Sequence, residues 1–187
     1  QNELLVRIAI FLTLVSASVV SLALIGQATN FEGRFNVFTI VLFSILLLVG
    51  TLTLLRVLNG SSEDHAYVIG MNRLRAAYAE LDPGIERYFI TSKHDDDRGV
   101  GQTYAFFEDI STPVQVLASS AIFILVVDLV VAGVLGGLVA NAADGSGAVI
   151  AIAAAAAGTG YFVAWFWHFG RRIRAQERRY HALFPHP

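Results

Sequence analysis

The chain contains no cysteine, so its sequence excludes disulfide bonds and every mechanism that depends on a thiolate. Charged residues are also scarce: they make up 15% of the 187 residues, compared with about 25% in an ordinary globular domain. No GxSxG turn, HExxH helix, P-loop or GxGxxG turn is present. The sequence therefore predicts a protein that is not an enzyme and has no cofactor. The net charge of −2 argues neither for nor against a nucleic-acid partner. We expect none.

Long apolar runs replace the missing charge, and 55% of the residues are hydrophobic. A helix needs about 20 mostly apolar residues to cross a bilayer, and a crossing segment must be helical because an unpaired backbone cannot face lipid. Four segments meet this requirement: 4–25, 36–58, 114–140 and 147–169. The first is too long for the core of a signal peptide and is predicted to be a retained span. The sequence thus predicts an all-α integral membrane protein with two transmembrane hairpins, 1–59 and 114–170.

Basic residues are concentrated in two of the regions outside these spans. The connection between the second and third spans and the C-terminal tail are rich in Lys and Arg, whereas the other two connections hold only Arg34. Because an excess of Lys and Arg marks cytoplasmic loops, we predict that both termini lie in the cytoplasm. The chain would then have a small helical cytoplasmic segment, 60–113, and a basic tail, 171–187. The tail arginines should attract anionic lipid: Arg171, Arg172, Arg174, Arg178 and Arg179.

Apolar residues recur at helical spacing in the first half of the cytoplasmic segment. We predict a helix that begins with Ser61 or Ser62 as its N-cap. Asp82 and Pro83 should end this helix and start a short second one, as N-cap and first residue. The apolar stripe either covers the membrane part of the same chain or contacts another subunit. Its members share one helical face: Tyr67, Met71, Leu74, Tyr78 and Leu81.

A cluster of charged residues, Lys93–Arg98, follows this second helix. It contains one His and three Asp residues, types that suit a divalent cation. Consecutive residues cannot all converge on one ion, however, and the spacing of an EF-hand is absent. We therefore predict a solvated acidic loop without a metal.

Asp128 lies near the middle of the third span, where an Asp residue costs roughly 2.5–3.5 kcal/mol on insertion scales. No Lys or Arg lies at the same depth in another span. Asp128 is therefore predicted to be protonated and to tie helices together, or to lie beside a path for ions, protons or a substrate. Hydroxyl residues at the same depth predict a polar layer around it: Ser16, Ser18, Ser44 and Thr159.

Glycine and alanine dominate the second hairpin, and small residues let helix backbones approach closely in lipid. The glycines at small-residue spacing are predicted to pack the two helices of this hairpin together or to contact another subunit: Gly133, Gly136, Gly137, Gly158 and Gly160.

A membrane hairpin followed by a cytosolic helix resembles the layout of small pore-forming effectors of bacterial defence systems, the SLATT type. The resemblance extends from the start of the chain to Leu81 and implies a pore; it assigns no role to any residue. The Ala- and Arg-rich composition suggests a bacterial source, so the expected location is the cell (inner) membrane.

These features predict a homo-oligomeric ion channel or pore with a polar layer around Asp128. The alternative is a non-catalytic accessory or scaffold subunit of a larger membrane complex. A small transporter is disfavoured, because the two hairpins show no internal repeat. The expected partners are the lipid bilayer, further copies of this chain and, under the alternative, other membrane subunits.

Overall fold

The computed structural model describes residues 2–29, 35–105, 119–177 and 180–187, without the side chains of residues 2, 29, 173, 176 and 177. These residues form an all-α fold without a β-strand. A 3-10 helix covers Pro83–Tyr88, and the α-helices are α1 (Asn2–Thr29), α2 (Phe35–Leu81), α3 (Asp97–Tyr104), α4 (Ser120–Ala142) and α5 (Gly147–Glu177).

Four of these helices, α1, α2, α4 and α5, are long and apolar enough to cross a membrane. This confirms the prediction of four helices with the length and apolar character that a membrane span requires. The predicted start of the third span at Val114 lies outside the described residues. Within them, α4 begins at Ser120, and the Ser119 hydroxyl caps it by accepting a hydrogen bond from the Ile122 amide at 3.3 Å.

Helix α2 has no break at the predicted N-cap, and the prediction of a new helix at Ser61 or Ser62 is wrong. The Ser62 hydroxyl instead donates to the Leu58 carbonyl at 3.1 Å, which satisfies it inside a continuous helix. The predicted end of this helix is confirmed. Asp82 is extended (φ −142°, ψ 99°), its carboxylate accepts the Gly84 amide at 2.9 Å, and Pro83 begins the 3-10 helix.

The chain divides into two compact units. The membrane unit contains residues 1–57 and 118–170, and the polar unit contains residues 58–117 and 171–187. The core of the membrane unit consists of buried apolar side chains of α1, α2 and α4: Phe11, Leu46, Leu54, Ile124 and Val131.

Helices α4 and α5 form a close hairpin in the membrane unit. Their turn is short because Asp144 adopts a positive φ of 55° and the Gly145 amide returns to the Ala140 carbonyl at 3.0 Å. A Cβ atom at Gly136 would lie 2.5 Å from the Ala157 Cβ, so the helices could not approach as closely with a larger residue.

Three further predicted glycines also face this contact: a Cβ at Gly133 or Gly158 would lie 3.3 Å from a carbonyl oxygen of the facing helix, and one at Gly137 would lie 3.5 Å from Ala154. Packing within one chain therefore accounts for four of the five predicted glycines. Gly160 differs, because a Cβ there would meet nothing within 4 Å.

Candidate functional site

The polar centre of the membrane unit is built around Asp128, whose side chain is fully buried in α4. The Tyr161 hydroxyl of α5 donates to the Asp128 Oδ2 atom at 2.8 Å. The same hydroxyl lies 2.9 Å from the Thr51 Oγ1 atom of α2. One carboxylate and two hydroxyls therefore connect three membrane helices, and we call Thr51, Asp128 and Tyr161 the polar triad.

Gly50 provides the space for the Asp128 carboxylate. A Cβ atom at residue 50 would lie 1.7 Å from the Asp128 Oδ1 atom and 2.6 Å from its Cγ atom, so no larger residue fits without movement. The Oδ1 atom is itself buried, and it has no hydrogen-bond partner within the described part of the chain. Burying an unpaired carboxylate oxygen is costly, which makes this atom the most unusual feature of the membrane unit.

The hydroxyls around Asp128 are not those in the predicted layer. Ser16, Ser44 and Thr159 are exposed on the outer surface of the membrane unit, and of the four predicted hydroxyls only Ser18 is buried. The Ser44 hydroxyl donates to the Ile40 carbonyl of its own helix at 2.8 Å. The hydrogen-bond partner of Asp128 is Tyr161, which was not among the predicted residues.

The predicted end of the third span explains why Tyr161 was missed. Residues equally distant from the turn of an antiparallel helical hairpin face each other. In the structure, α4 ends at Ala142 and α5 begins at Gly147, so Asp128 and Tyr161 each lie 14 residues from the turn. A span that ends at residue 140, as predicted, places Thr159 opposite Asp128 instead. No signal in the sequence pointed to Thr51 or Gly50, because no short turn sets the register between α2 and α4.

The polar unit has a second buried centre, Asp95. The Asp95 Oδ2 atom accepts hydrogen bonds from the Arg73 Nε atom at 2.7 Å and the Leu183 amide at 2.9 Å. Its Oδ1 atom accepts the Phe184 amide at 2.8 Å. The Asp95 amide in turn donates to the Phe184 carbonyl at 3.2 Å. This buried carboxylate therefore attaches the C-terminal segment, residues 180–187, to α2.

Asp96 extends the same attachment. Its carboxylate caps α3 through the Gly99 amide at 2.8 Å and also accepts the His186 amide at 2.9 Å. The His186 Nδ1 atom lies 2.8 Å from the Asp96 Oδ1 atom. The imidazole rings of His94 and His186 face each other, with centroids 4.0 Å apart.

The neighbouring buried residue Asn72 holds the loop from the other side. Its Nδ2 atom donates to the His94 carbonyl at 2.8 Å, and its Oδ1 atom accepts from Arg75 and Thr103. The prediction of a solvated acidic loop is therefore wrong for Asp95 and Asp96, whereas Asp97 and Arg98 are exposed. The partners of Asp95 and Asp96 come from α2 and from the distant C-terminus, which local sequence does not reveal. In the part of the chain that the structure describes, no group of three or more His, Asp or Glu residues could hold a metal.

These contacts shift the titration of both carboxyls. Burial alone would raise the pKa of Asp96. The amides of His186 and Gly99 and the His186 imidazole outweigh this effect and lower the pKa to about 2. For Asp95, burial also raises the pKa, yet the Leu183 amide, Arg73 and the Phe184 amide together lower it below its ordinary value.

Acidification is therefore expected to release the C-terminal segment. A carboxyl whose pKa is lower in the folded than in the unfolded state stabilises the fold above the unfolded value, about 3.9 for Asp. That stabilisation is lost as the pH falls through the folded pKa, which for Asp96 is about 2. We expect the amides of Leu183, Phe184 and His186 to lose their hydrogen-exchange protection between about pH 4 and about pH 2, with no change near neutrality. Loss of protection already at neutral pH would contradict this assignment.

The remaining predicted residues lie on the surface. The apolar stripe of α2 is exposed along its whole length, from Tyr67 (73%) to Leu81 (82%), and Met71, Leu74 and Tyr78 between them are each more than half exposed. Arg172 donates to the Asn59 Oδ1 atom at 2.8 Å, while Arg171 and Arg174 are exposed. Arg178 and Arg179 lie outside the described residues.

Compared with family models, curated proteins and solved structures, the chain matches none of them. Its function must therefore be inferred from the geometry of its own residues.

Proposed function

We propose that this chain is a non-catalytic, homo-oligomeric membrane protein that conducts ions along a path between its subunits. The observation that carries this proposal is the outward position of the hydroxyls Ser16, Ser44 and Thr159. Asp128 is enclosed, with a carboxylate oxygen against Gly50, so it does not line an open path within the protomer. A hydrated path lined by side-chain hydroxyls would therefore form where two copies meet.

The outer face of α5 supports self-association. A Cβ atom at Gly160 would meet no other atom within 4 Å. Ala156 and Ala164, one helical turn away on each side, are exposed as well. Small residues four positions apart allow helix backbones to approach closely in a bilayer, where van der Waals packing drives association. We call Ala156, Gly160 and Ala164 the small face, and we assign it to the contact with a second copy.

Replacing Gly160 with leucine is expected to dissociate the assembly and to reduce ion flux into liposomes by tenfold or more, because the added bulk separates the backbones. The matched control is Ala155→Leu, which adds bulk to an exposed position about 140° around the same helix. Native mass spectrometry and flux should be measured on the same preparations. A monomeric wild type would contradict self-association. An unchanged oligomer in Gly160→Leu would refute the small face as the contact, and an oligomer without flux would refute conduction alone.

The proposed orientation places both termini in the cytoplasm of a bacterial cell, with the turn at Asp144 outside. Arg171 and Arg174 would then lie at the cytoplasmic surface, where each basic residue contributes about 1 kcal/mol of attraction to anionic lipid. Because the chain has no cysteine, single introduced cysteines test this directly. An impermeant thiol reagent applied to cells should label Asp144→Cys and should leave Ser92→Cys unlabelled until the membrane is opened. Labelling of Ser92→Cys in intact cells would overturn the orientation.

A second candidate function is that of an accessory or scaffold subunit, and the exposed stripe on α2 favours it. Five large apolar side chains are exposed on one helical face, and such a patch marks a contact with another protein. The mass of the particle distinguishes the two functions. An accessory subunit extracted from native membranes would copurify with different chains. The proposed channel would instead form a particle of the same mass whether it is extracted from native membranes or expressed without other subunits.

A further inference from the structure

The polar triad has two possible directions of hydrogen bonding. When Asp128 is ionised, its carboxylate only accepts, so Tyr161 donates to Oδ2 and Thr51 donates to Tyr161. When Asp128 carries a proton, the carboxyl can donate instead. The proton must then lie on Oδ2, because Oδ1 has no hydrogen-bond partner in the described structure whereas Oδ2 lies 2.8 Å from the Tyr161 hydroxyl.

The reversed arrangement also satisfies every hydroxyl. Tyr161, now accepting from Asp128, donates to the Thr51 Oγ1 atom at 2.9 Å. Thr51 then requires an acceptor, and the carbonyl one turn earlier in a helix serves hydroxyls in this way. Other hydroxyls of α2 already do so: Thr53 donates to the Val49 carbonyl at 2.8 Å, and Thr39 donates to the Phe35 carbonyl at 2.9 Å.

We propose that Thr51, Tyr161 and Asp128 form a proton-binding site inside the membrane unit, in which proton uptake at the Asp128 Oδ2 atom reverses both hydrogen bonds. The ligand is a proton from water: one O–H bond forms, the carboxylate becomes a neutral acid, and no electron is transferred. The proposal concerns the interior of one protomer and does not depend on conduction between subunits.

Few other titratable groups surround this site. The facing group on α5 is Tyr161, and α2 presents Gly50 and Thr51. On α1 and α2, the ionisable side chains Arg7 and Arg56 lie 3.0 Å and 3.7 Å from the Glu3 carboxylate. Asp144 occupies the α4–α5 turn, and the His168 ring contacts Trp165, with centroids 5.5 Å apart.

Infrared difference spectroscopy on the full chain in lipid nanodiscs tests the proposal, because a protonated carboxyl has a C=O band separate from those of carboxylate and amide. A pH titration from about pH 4 to about pH 10 covers the range in which a carboxyl titrates and ends near the ordinary pKa of a tyrosine hydroxyl. We expect a titrating band that Asp128→Asn removes. Absence of any such difference between the wild type and Asp128→Asn would overturn proton binding.

Two further variants test the reversal. In the protonated state, Thr51→Val leaves the Tyr161 hydroxyl without an acceptor, whereas in the ionised state it removes only a donor to a hydroxyl that still donates to Asp128. The unsatisfied donor costs more, so the midpoint should move down by roughly half to one pH unit. Tyr161→Phe removes a hydrogen bond from both states, but the bond to the ionised carboxylate is the stronger one because it is charge-assisted, so the midpoint should move up. Opposite shifts support the proposal, since a merely structural role predicts no such pattern. Shifts in the same direction, or no shift, would overturn the reversal. If Tyr161→Phe does not fold, Thr51→Val alone decides.

Discussion

Replacing Asp95 with alanine is expected to detach the C-terminal segment and to destabilise the polar unit by roughly 3 kcal/mol. The substitution leaves the amides of Leu183 and Phe184 without their acceptor and removes the ion pair with Arg73. Each unsatisfied buried donor costs about 1–3 kcal/mol. Arg73 adds less, because 34% of its side chain is exposed and water can solvate it after the change.

The matched control is Asp97→Ala, which removes the same charge two residues later in the chain. Asp97 is exposed and is the first residue of α3. Hydrogen exchange should show fast amides at Leu183 and Phe184 in Asp95→Ala and protected amides in Asp97→Ala. Denaturant unfolding of both variants measures the difference in free energy. Equal effects of the two substitutions would mean that Asp95 acts only through its charge and does not hold the segment.

Replacing Gly50 with alanine is expected to destabilise the membrane unit by about 1–3 kcal/mol, the usual cost of overpacking. The new Cβ would occupy the position of the Asp128 carboxylate, so either that side chain or α2 must move. Moving the carboxylate also breaks its hydrogen bond with Tyr161. The effect should therefore exceed that of Gly70→Ala, also in α2, where an added Cβ would meet no atom within 4 Å and alanine slightly favours the helix.

A double-mutant cycle identifies the cause of this effect. In an Asp128→Ala background, the carboxylate that blocks residue 50 is absent, so Gly50→Ala should cost little. Reversible unfolding of all four proteins in bicelles gives the coupling energy, which we expect to be at least 1 kcal/mol. Additive effects would show that Gly50 and Asp128 do not compete for the same space.

Features that depend on neighbouring residues could be predicted from the sequence, and features that depend on the folded chain could not. The spans were predictable because a backbone in lipid must form its hydrogen bonds within its own helix, which makes apolar length sufficient evidence. The end of α2 was predictable because Asp82 and Pro83 act through their immediate neighbours. The continuity of α2 through Ser62 was not predicted, because the same hydroxyl can either cap a new helix or donate to the preceding turn, and only the folded chain selects between them.

The sequence by itself determined the helical class and the four candidate spans. The tertiary structure alone decided which hydroxyls surround Asp128, why residue 50 is glycine and why Asp95 is buried rather than solvated. The physical reason is sequence distance. Thr51 and Tyr161 are 110 residues apart, and Asp95 and Leu183 are 88 residues apart. Contacts of this range depend on the packing of whole helices and segments, which no local pattern of residue types encodes.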